Sequence, residues 1–184
     1  APALALRYDA ADGAGTLGLG WSLGLPAIER SLRTGVPTPD VPATWTLRGL
    51  GGGEELVEVE PGVLRERIEQ GPPFVVRPLP GGAMSVLATD GTGYLFGLTD
   101  DARLGGDTGL FRLELSAITD VHGNRIDFDY THEPGSDAPL LSAITYNEGR
   151  ATVRFRYEER PDIVRTRAPG FLVELRHRLR SIVT

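Results

Sequence analysis

The chain contains no cysteine and no lysine, and it has no long hydrophobic run. Without cysteine it can form no disulfide, no thiolate nucleophile and no cysteine-based zinc site. All 19 basic residues are arginine, which we attribute mainly to genomic base composition and not to chemistry. No apolar stretch approaches the roughly 20 residues that a membrane-spanning helix requires, and no signal peptide is visible.

Charge and composition narrow the class of protein further. A net charge of −6 disfavours binding to nucleic acid or to anionic membranes, because both need a basic surface. The 184 residues, 40% of them hydrophobic, fit one soluble globular domain with its own core. The 24 glycines and 14 prolines predict many short elements joined by turns. Because the chain begins at Ala1 without a methionine, we expect it to be a piece of a larger protein.

Alternation of apolar and polar residues is the dominant pattern, and it is typical of half-buried β-strands. No segment of ten or more residues has helical periodicity, and Gly, Pro, Asn and Asp separate the alternating runs. These features predict an all-β chain of antiparallel meandering sheets with little or no helix, built as a sandwich or a curved shell wall. The runs cover 4–8, 27–33, 44–48, 55–59, 63–68, 74–79, 84–89, 94–98, 111–115, 125–130, 141–146, 152–158 and 171–180. The least regular parts are 9–26, 34–43, 99–109 and 159–170.

One segment, 20–24, matches the G-x-S-x-G pattern of a hydrolase nucleophile elbow, with Ser22 as the nucleophile. That elbow needs a helix immediately after the serine. Here Pro26 biases Leu25 toward extended geometry, and a strand pattern follows. We therefore interpret Trp21 as an anchor for a glycine-rich loop, and we predict that the chain has no catalytic residue and is not an enzyme.

The candidate metal ligands have simpler structural interpretations. The three histidines, His122, His132 and His177, do not have the spacing of a metal site. His177 lies on the apolar face of a predicted strand, as a core or interface residue does. Asp120, with Asp127 and Asp129, offers oxygen ligands for calcium, but aspartate and asparagine beside glycine are ordinary turn formers. We favour the turn, and we expect neither a metal nor a cofactor.

Two charged strand faces also invite functional interpretations. Glu58 and Glu60 have the two-glutamate spacing of some ADP-ribosyltransferases, but two residues carry almost no information and we interpret them as a solvated strand face. Arg176, Arg178 and Arg180 line one face of the last strand, without the interleaved aromatic residues that would stack on bases. An ion-paired face therefore explains these arginines better than contact with nucleic acid.

Seven motifs occur in order along the chain, and together they resemble the SpvB-type domain. This domain opens the Salmonella virulence plasmid protein SpvB, the B components of insecticidal Tc toxin complexes and related Rhs proteins. The motifs lie at 17–30, 46–57, 90–97, 118–130 (similar to a YD repeat), 141–146, 155–162 and 170–182. The chain is shorter than family members between Glu60 and Met84. The motif residues with an expected structural role are Gly18, Gly20, Trp21, Asp120, Gly123, Asn124, Tyr130, Tyr157, Glu158 and Arg160.

The resemblance implies a single SpvB-like β domain over residues 1–184, which is a fragment of a larger virulence protein. It implies a secreted scaffold, made in the cytoplasm before export, that forms part of a β-sheet shell enclosing or helping to deliver a toxic polypeptide. Its partners would be the rest of the parent toxin, other toxin-complex subunits and the enclosed polypeptide. The ADP-ribosyltransferase of SpvB is a separate C-terminal domain, and no segment here matches it.

A second interpretation of the same chain is a β-rich adhesin or a carbohydrate- or protein-binding module. Such a module would favour aromatic side chains exposed together on one face. For the shell we expect instead that the first or last strand, 4–8 or 171–183, pairs with sheet outside the chain, because an unpaired edge recruits partners.

We predict that Ser22 is not a nucleophile. A serine-directed fluorophosphonate should leave Ser22 unmodified, because Pro26 disfavours the helix that would activate it. Mass spectrometry of the treated protein provides the measurement, and a covalent adduct on Ser22 would contradict the prediction.

Overall fold

The computed structural model describes residues 4–10, 13–38, 40–50, 52–69, 71–134 and 137–184. In this part of the chain there are seventeen β-strands and two single-turn 3₁₀ helices, at 80–82 and 100–102. Strand makes up 55% of the described residues and helix 3%. None of the described helices is long and apolar enough to cross a membrane. The prediction of an antiparallel all-β fold with little helix is confirmed.

The strands are short in the first half of the chain and longer in the second. They are β1 Arg7–Tyr8, β2 Ala14–Gly15, β3 Gly18–Leu19, β4 Trp21–Ser22, β5 Ala27–Arg30, β6 Trp45–Arg48, β7 Glu55–Glu60, β8 Val63–Glu66, β9 Phe74–Pro78, β10 Met84–Ala88, β11 Gly93–Phe96, β12 Arg103–Gly106, β13 Gly109–Thr119, β14 Arg125–Thr131, β15 Leu140–Tyr146, β16 Ala151–Thr166 and β17 Val173–Val183.

Thirteen of the described strands form one continuous antiparallel sheet. From β5 to β11 each strand pairs with the next along the chain, and both β5 and β11 also pair with β13. These eight described strands therefore form a closed, shell-like ring of pairings. From β13 the sheet continues through β14, β15 and β16 to β17. Of the two predicted arrangements, the shell is the one observed, and its strands close into a barrel-like ring.

The main core lies against one face of this continuous sheet. Fifteen apolar residues from ten strands form a single buried cluster. Phe96, Leu113 and Leu115 are among its fully buried members. A smaller cluster of Leu104, Phe111 and Val173 joins the β12–β13 hairpin to the start of β17. The period-two pattern arises because each strand sends alternate side chains into these clusters.

Residues 159–170, which we expected to be irregular, contain the second half of a strand. Strand β16 continues to Thr166 and contains Pro161. Its register against β17 shifts between Glu159 and Val164, so the residues between them form a bulge. A proline in such a bulge removes no ladder hydrogen bond, which is why the strand tolerates it.

Two other segments that we expected to be irregular also contain strands. The segment 9–26 contains β2, β3 and β4, which form two-residue ladders outside the main sheet. The segment 99–109 contains β12, which pairs with β13. Both consist of very short strands with many glycines, so their alternation is too brief to recognise in the sequence.

Phe128 and Phe155 are core residues, as their strand patterns predict, with 5% and 6% of their surface exposed. Truncation of either to alanine should lower the free energy of unfolding by about 3–5 kcal/mol, because burial is lost and a cavity remains. Chemical denaturation of each variant provides the measurement. Val121→Ala is the control, since Val121 is 63% exposed and should change stability little. A loss below about 1 kcal/mol at both phenylalanines would contradict the assignment of faces.

Candidate functional site

The N-terminal glycine-rich segment folds into two small antiparallel ladders, β1–β4 and β2–β3. Gly18 and Gly20 have φ angles of 114° and 75°, which glycine adopts without strain. A Cβ atom on Gly20 would lie 2.7 Å from the carbonyl oxygen of Asp9 and 2.8 Å from the ring of Tyr8. The segment therefore needs glycine here both for backbone conformation and for space.

Trp21 and Tyr8 form a cross-strand aromatic pair. Their ring centroids are 5.2 Å apart, and the ring planes are inclined by 56°. Trp21 is 44% exposed, so it contacts its neighbouring strand but is not buried in the sheet, as an anchor would be. Ser22 follows in β4, and the next regular element is strand β5. The helix that a nucleophile elbow requires is therefore not formed after Ser22.

Arg160 connects this segment to the bulge in β16. Its side chain is only 4% exposed and donates two hydrogen bonds to the carboxylate of Asp162, at 3.2 and 3.0 Å. It also donates to the carbonyl oxygen of Gly15 at 3.2 Å. The hydrogen bond from Arg160 lowers the pKa of Asp162. Charge-assisted hydrogen bonds of this kind hold a buried guanidinium where an unpaired one would be costly.

A second contact fixes the same segment to the last strand. The N–H of Leu179 donates to the carbonyl oxygen of Thr16 at 2.7 Å. Thr16 lies in the turn between β2 and β3, so this turn covers part of the β17 edge. We call Gly15, Thr16, Arg160, Asp162 and Leu179 the N-terminal clamp.

The motif beside Arg160 also has structural partners. The phenol of Tyr157 donates to the carbonyl oxygen of Leu141 at 2.8 Å, and burial raises its pKa. Glu158 accepts a hydrogen bond from Arg178 at 2.8 Å and lies 3.9 Å from Arg180. Arg176 pairs with Glu174. The predicted ion-paired face of β17 is confirmed.

Tyr130 is the remaining aromatic residue of the predicted motif set. It lies on β14 and packs against the main core. Burial, followed by the charge of Glu114, raises its pKa well above the usual value for tyrosine. A phenol in this setting stays neutral and serves packing.

Asp120, Gly123 and Asn124 close the turn between β13 and β14. One carboxylate oxygen of Asp120 accepts from the backbone N–H groups of His122 and Asn124, at 2.8 and 2.9 Å. The other accepts from the Asn124 side chain at 2.7 Å, and this bond lowers the pKa of Asp120. Gly123 has a φ angle of 84°. The predicted turn is therefore formed, and Asp127 pairs with Arg125 instead of joining Asp120.

The other candidate residues remain apart. Among the residues that the structure describes, no group of three or more His, Asp or Glu could hold a metal ion. His177 is half-buried on β17, and its Nδ1 atom is buried without a described hydrogen-bond partner. It borders a small hollow of about 210 Å³ beside Arg160. Glu58 and Glu60 lie exposed on β7, where Glu58 accepts a hydrogen bond from the N–H of Gly62.

The sequence motifs contain one polar connection that we did not assign in advance. Arg30 is 7% exposed and donates to the carbonyl oxygens of Thr108, at 2.9 Å, and Val41, at 3.1 Å. The Thr108 hydroxyl donates to the carbonyl oxygen of Pro169 at 3.0 Å. Three distant loops therefore meet around Arg30. An arginine at the end of an apolar strand was the available indication, but its partners are backbone carbonyls that no sequence pattern marks.

We predict that Arg160→Met lowers the free energy of unfolding by about 1–3 kcal/mol, because Gly15 and Asp162 lose a buried donor. Hydrogen exchange of the amides in 14–19 should also become faster, since the clamp holds this segment. Arg156→Met is the matched control, because Arg156 is an exposed arginine on the same strand. Unchanged exchange in 14–19 would show that Arg160 does not anchor the segment.

Comparison with known proteins gives consistent results for sequence and fold. Residues 1–67 match the family model described as Salmonella virulence plasmid 65kDa B protein, SpvB. A sequence search of curated proteins returns no match. The N-terminal domain of the effector protein SpvB from Salmonella typhimurium strain LT2 has the same fold, with a TM-score of 0.81 and 19% identity. This match covers 98% of the present chain and 81% of the SpvB chain.

Larger toxin structures contain the fold as well. TcdB2-TccC3-Cdc42 matches with a TM-score of 0.74, and the Photorhabdus luminescens Tc holotoxin pore with a TM-score of 0.77, each at 19% identity. Each match covers 98% of the present chain but only 12% of the toxin chain. The resemblance predicted from the motifs is therefore confirmed: residues 1–67 match the SpvB family model, and the chain has the fold of the SpvB N-terminal domain.

Proposed function

We propose that this chain is a structural segment of a bacterial toxin-complex or Rhs-type protein and forms part of a β-sheet shell. The observation that carries the proposal is the recurrence of the fold. It covers 98% of the chain in the SpvB N-terminal domain and again inside toxin chains of which it spans only 12%. The continuous antiparallel sheet, which extends from the ring through β14 to β17, also supports the proposal.

We also propose that the chain is not an enzyme. The polar residues of its motifs are already occupied by structural hydrogen bonds and ion pairs. Both oxygens of Asp120 accept bonds within their own turn, and Arg160 is bound to Asp162 and Gly15. Glu158 is bound to Arg178. A catalytic site needs a nucleophile, a base and an orienting group converging on open space, and these side chains serve packing instead.

The proposed partners follow from the shell. They are the remainder of a parent toxin protein, other toxin-complex subunits and a toxic polypeptide that the shell encloses or helps to deliver. The protein would be secreted by a bacterium after synthesis in the cytoplasm. The net charge of −6 is consistent with partners other than nucleic acid.

One observation favours the alternative of a binding module. Tyr8 and Trp21 form an aromatic pair with both rings exposed, by 61% and 44%. The 56° inclination between the rings argues against a flat platform for a sugar. A glycan array distinguishes the two functions: the shell segment should bind no glycan, whereas specific binding that Trp21→Ala abolishes would favour the module.

Cryo-electron microscopy of the intact protein that carries this chain tests the shell directly. We expect the strands of this chain to continue into neighbouring sheet and to border an enclosed space. The free part of the β17 edge should pair with another strand, because an open edge in a shell wall would leave backbone groups unsatisfied. A chain that stands apart as a separate module, with no sheet joined to it, would overturn the proposal.

A further inference from the structure

The N-terminal segment presents apolar side chains to solvent. Leu6 is 60% exposed, Tyr8 61%, Leu19 71% and Trp21 44%. We call these four residues the N-terminal apolar patch. Single exposed apolar residues are ordinary, but aromatic and aliphatic residues grouped on one short segment are typical of a contact surface.

The backbone holds this patch in a defined arrangement. Tyr8 and Trp21 are direct cross-strand partners in the β1–β4 ladder, and Leu6 immediately precedes β1. The missing Cβ of Gly20 leaves the space that the Tyr8 ring occupies. The clamp through Arg160 and Thr16 fixes the adjoining turn to β16 and β17.

The same segment also contains apolar residues that are partly buried. Leu4, Leu23 and Leu25 pack against the main core, whereas the four residues of the patch do not. The segment therefore separates its apolar side chains into an inner set, which the fold already covers, and an outer set, which it displays. The tyrosine and the tryptophan of the outer set are residue types that are enriched at interface centres.

We propose that apolar side chains from another β-sheet segment of the same polypeptide cover the N-terminal apolar patch. This inference rests on the proposed shell function and names the surface through which the segment joins the shell. The inference explains why the glycine-tryptophan motif after the glycine-rich turn exposes an aromatic ring that the fold itself does not bury.

The size of the patch selects this occupant over a freely diffusing one. The four side chains expose on the order of 400 Å², given that a large aromatic residue presents about 150–250 Å². A stable interface between separate proteins buries about 800 Å² on each partner. A tethered segment needs less contact area, because its effective concentration is high. A second copy of the chain and a free protein are both poorer candidates for so small a surface.

The chemistry of the patch also favours protein over sugar. Leu6 and Leu19 offer no hydrogen-bonding group to satisfy sugar hydroxyls, and unsatisfied polar groups weaken binding. Apolar side chains from a neighbouring sheet carry no such requirement. The fold occupies only 12% of much longer toxin chains, so in those proteins the rest of the polypeptide is long enough to supply a covering segment.

Hydroxyl-radical footprinting with mass spectrometry tests the inference. The 184-residue chain and the intact protein that carries it are oxidised in parallel. Trp21 and Tyr8 should react readily in the 184-residue chain and several-fold more slowly in the intact protein. Trp45, the second tryptophan, packs against the main core and is the internal control, whose rate should be the same in both samples. An unchanged rate at Trp21 would overturn the inference.

Two further outcomes would also overturn it. Analytical ultracentrifugation should find the 184-residue chain monomeric; a dimer that Trp21→Ser dissociates would assign the patch to a second copy. Glycan binding that Trp21→Ser abolishes would assign it to a sugar. The proposed function fails separately: a shell wall seen by cryo-electron microscopy with Trp21 still exposed leaves that function intact and removes only this inference.

Discussion

Strand β13 is the element through which the whole sheet is connected. It pairs with β5 and β12 near its start, and with β11 and β14 near its end. Leu113 and Leu115 point from it into the main core and are fully buried. Strand β13 belongs to the ring and also pairs with β14, where the extension to β17 begins. A change that displaces β13 therefore disturbs both parts of the sheet. Its eleven residues are long enough to serve four neighbours, which the two- to six-residue strands before it are not.

The N-terminal clamp solves a related problem at the end of the sheet. Strand β17 would otherwise present an uninterrupted edge, and such an edge invites pairing with other chains. The carbonyl of Thr16 takes the N–H of Leu179, and the side chain of Asp137 takes the N–H of Glu174 at 3.1 Å. Gly15 and Arg160 are 145 positions apart in sequence. Closing so long a loop costs conformational entropy, which the clamp and the apolar residues beneath it must offset together.

The sequence contains enough local information for most of the strands but not for their assembly. Alternation identified the strands around Phe128 and Phe155 because a half-buried strand repeats every two residues. The turn at Asp120, Gly123 and Asn124 was also predictable, because the residues that form a turn are close together in the sequence. Closure of the ring through the β11–β13 pairing was not predictable, because registers between distant strands leave no mark in either strand.

In the candidate site, too, local features could be predicted from the sequence but contacts between distant segments could not. The sequence motifs indicated that Gly20, Trp21 and Arg160 matter. Their partners are the ring of Tyr8, for both Gly20 and Trp21, and the backbone carbonyl of Gly15, for Arg160. Backbone carbonyls are present at every residue, so no pattern reveals which one an arginine will reach. The extension of β16 past Pro161 was missed because a bulge removes the usual penalty for proline in a strand.

A consistent physical principle connects these motifs with a structural role. Each polar motif residue with described partners is satisfied by a neighbour within the fold: Asp120 by its own turn, Tyr157 by Leu141, Glu158 by Arg178 and Arg160 by Gly15 and Asp162. Catalytic groups must instead keep part of their hydrogen-bonding capacity free for the substrate, which costs stability. The patch around Trp21 is the contrasting case, because there the unsatisfied surface is apolar. Apolar surface left open on an otherwise satisfied fold is stabilised by contact with other apolar surface, and we propose that assembly supplies this contact.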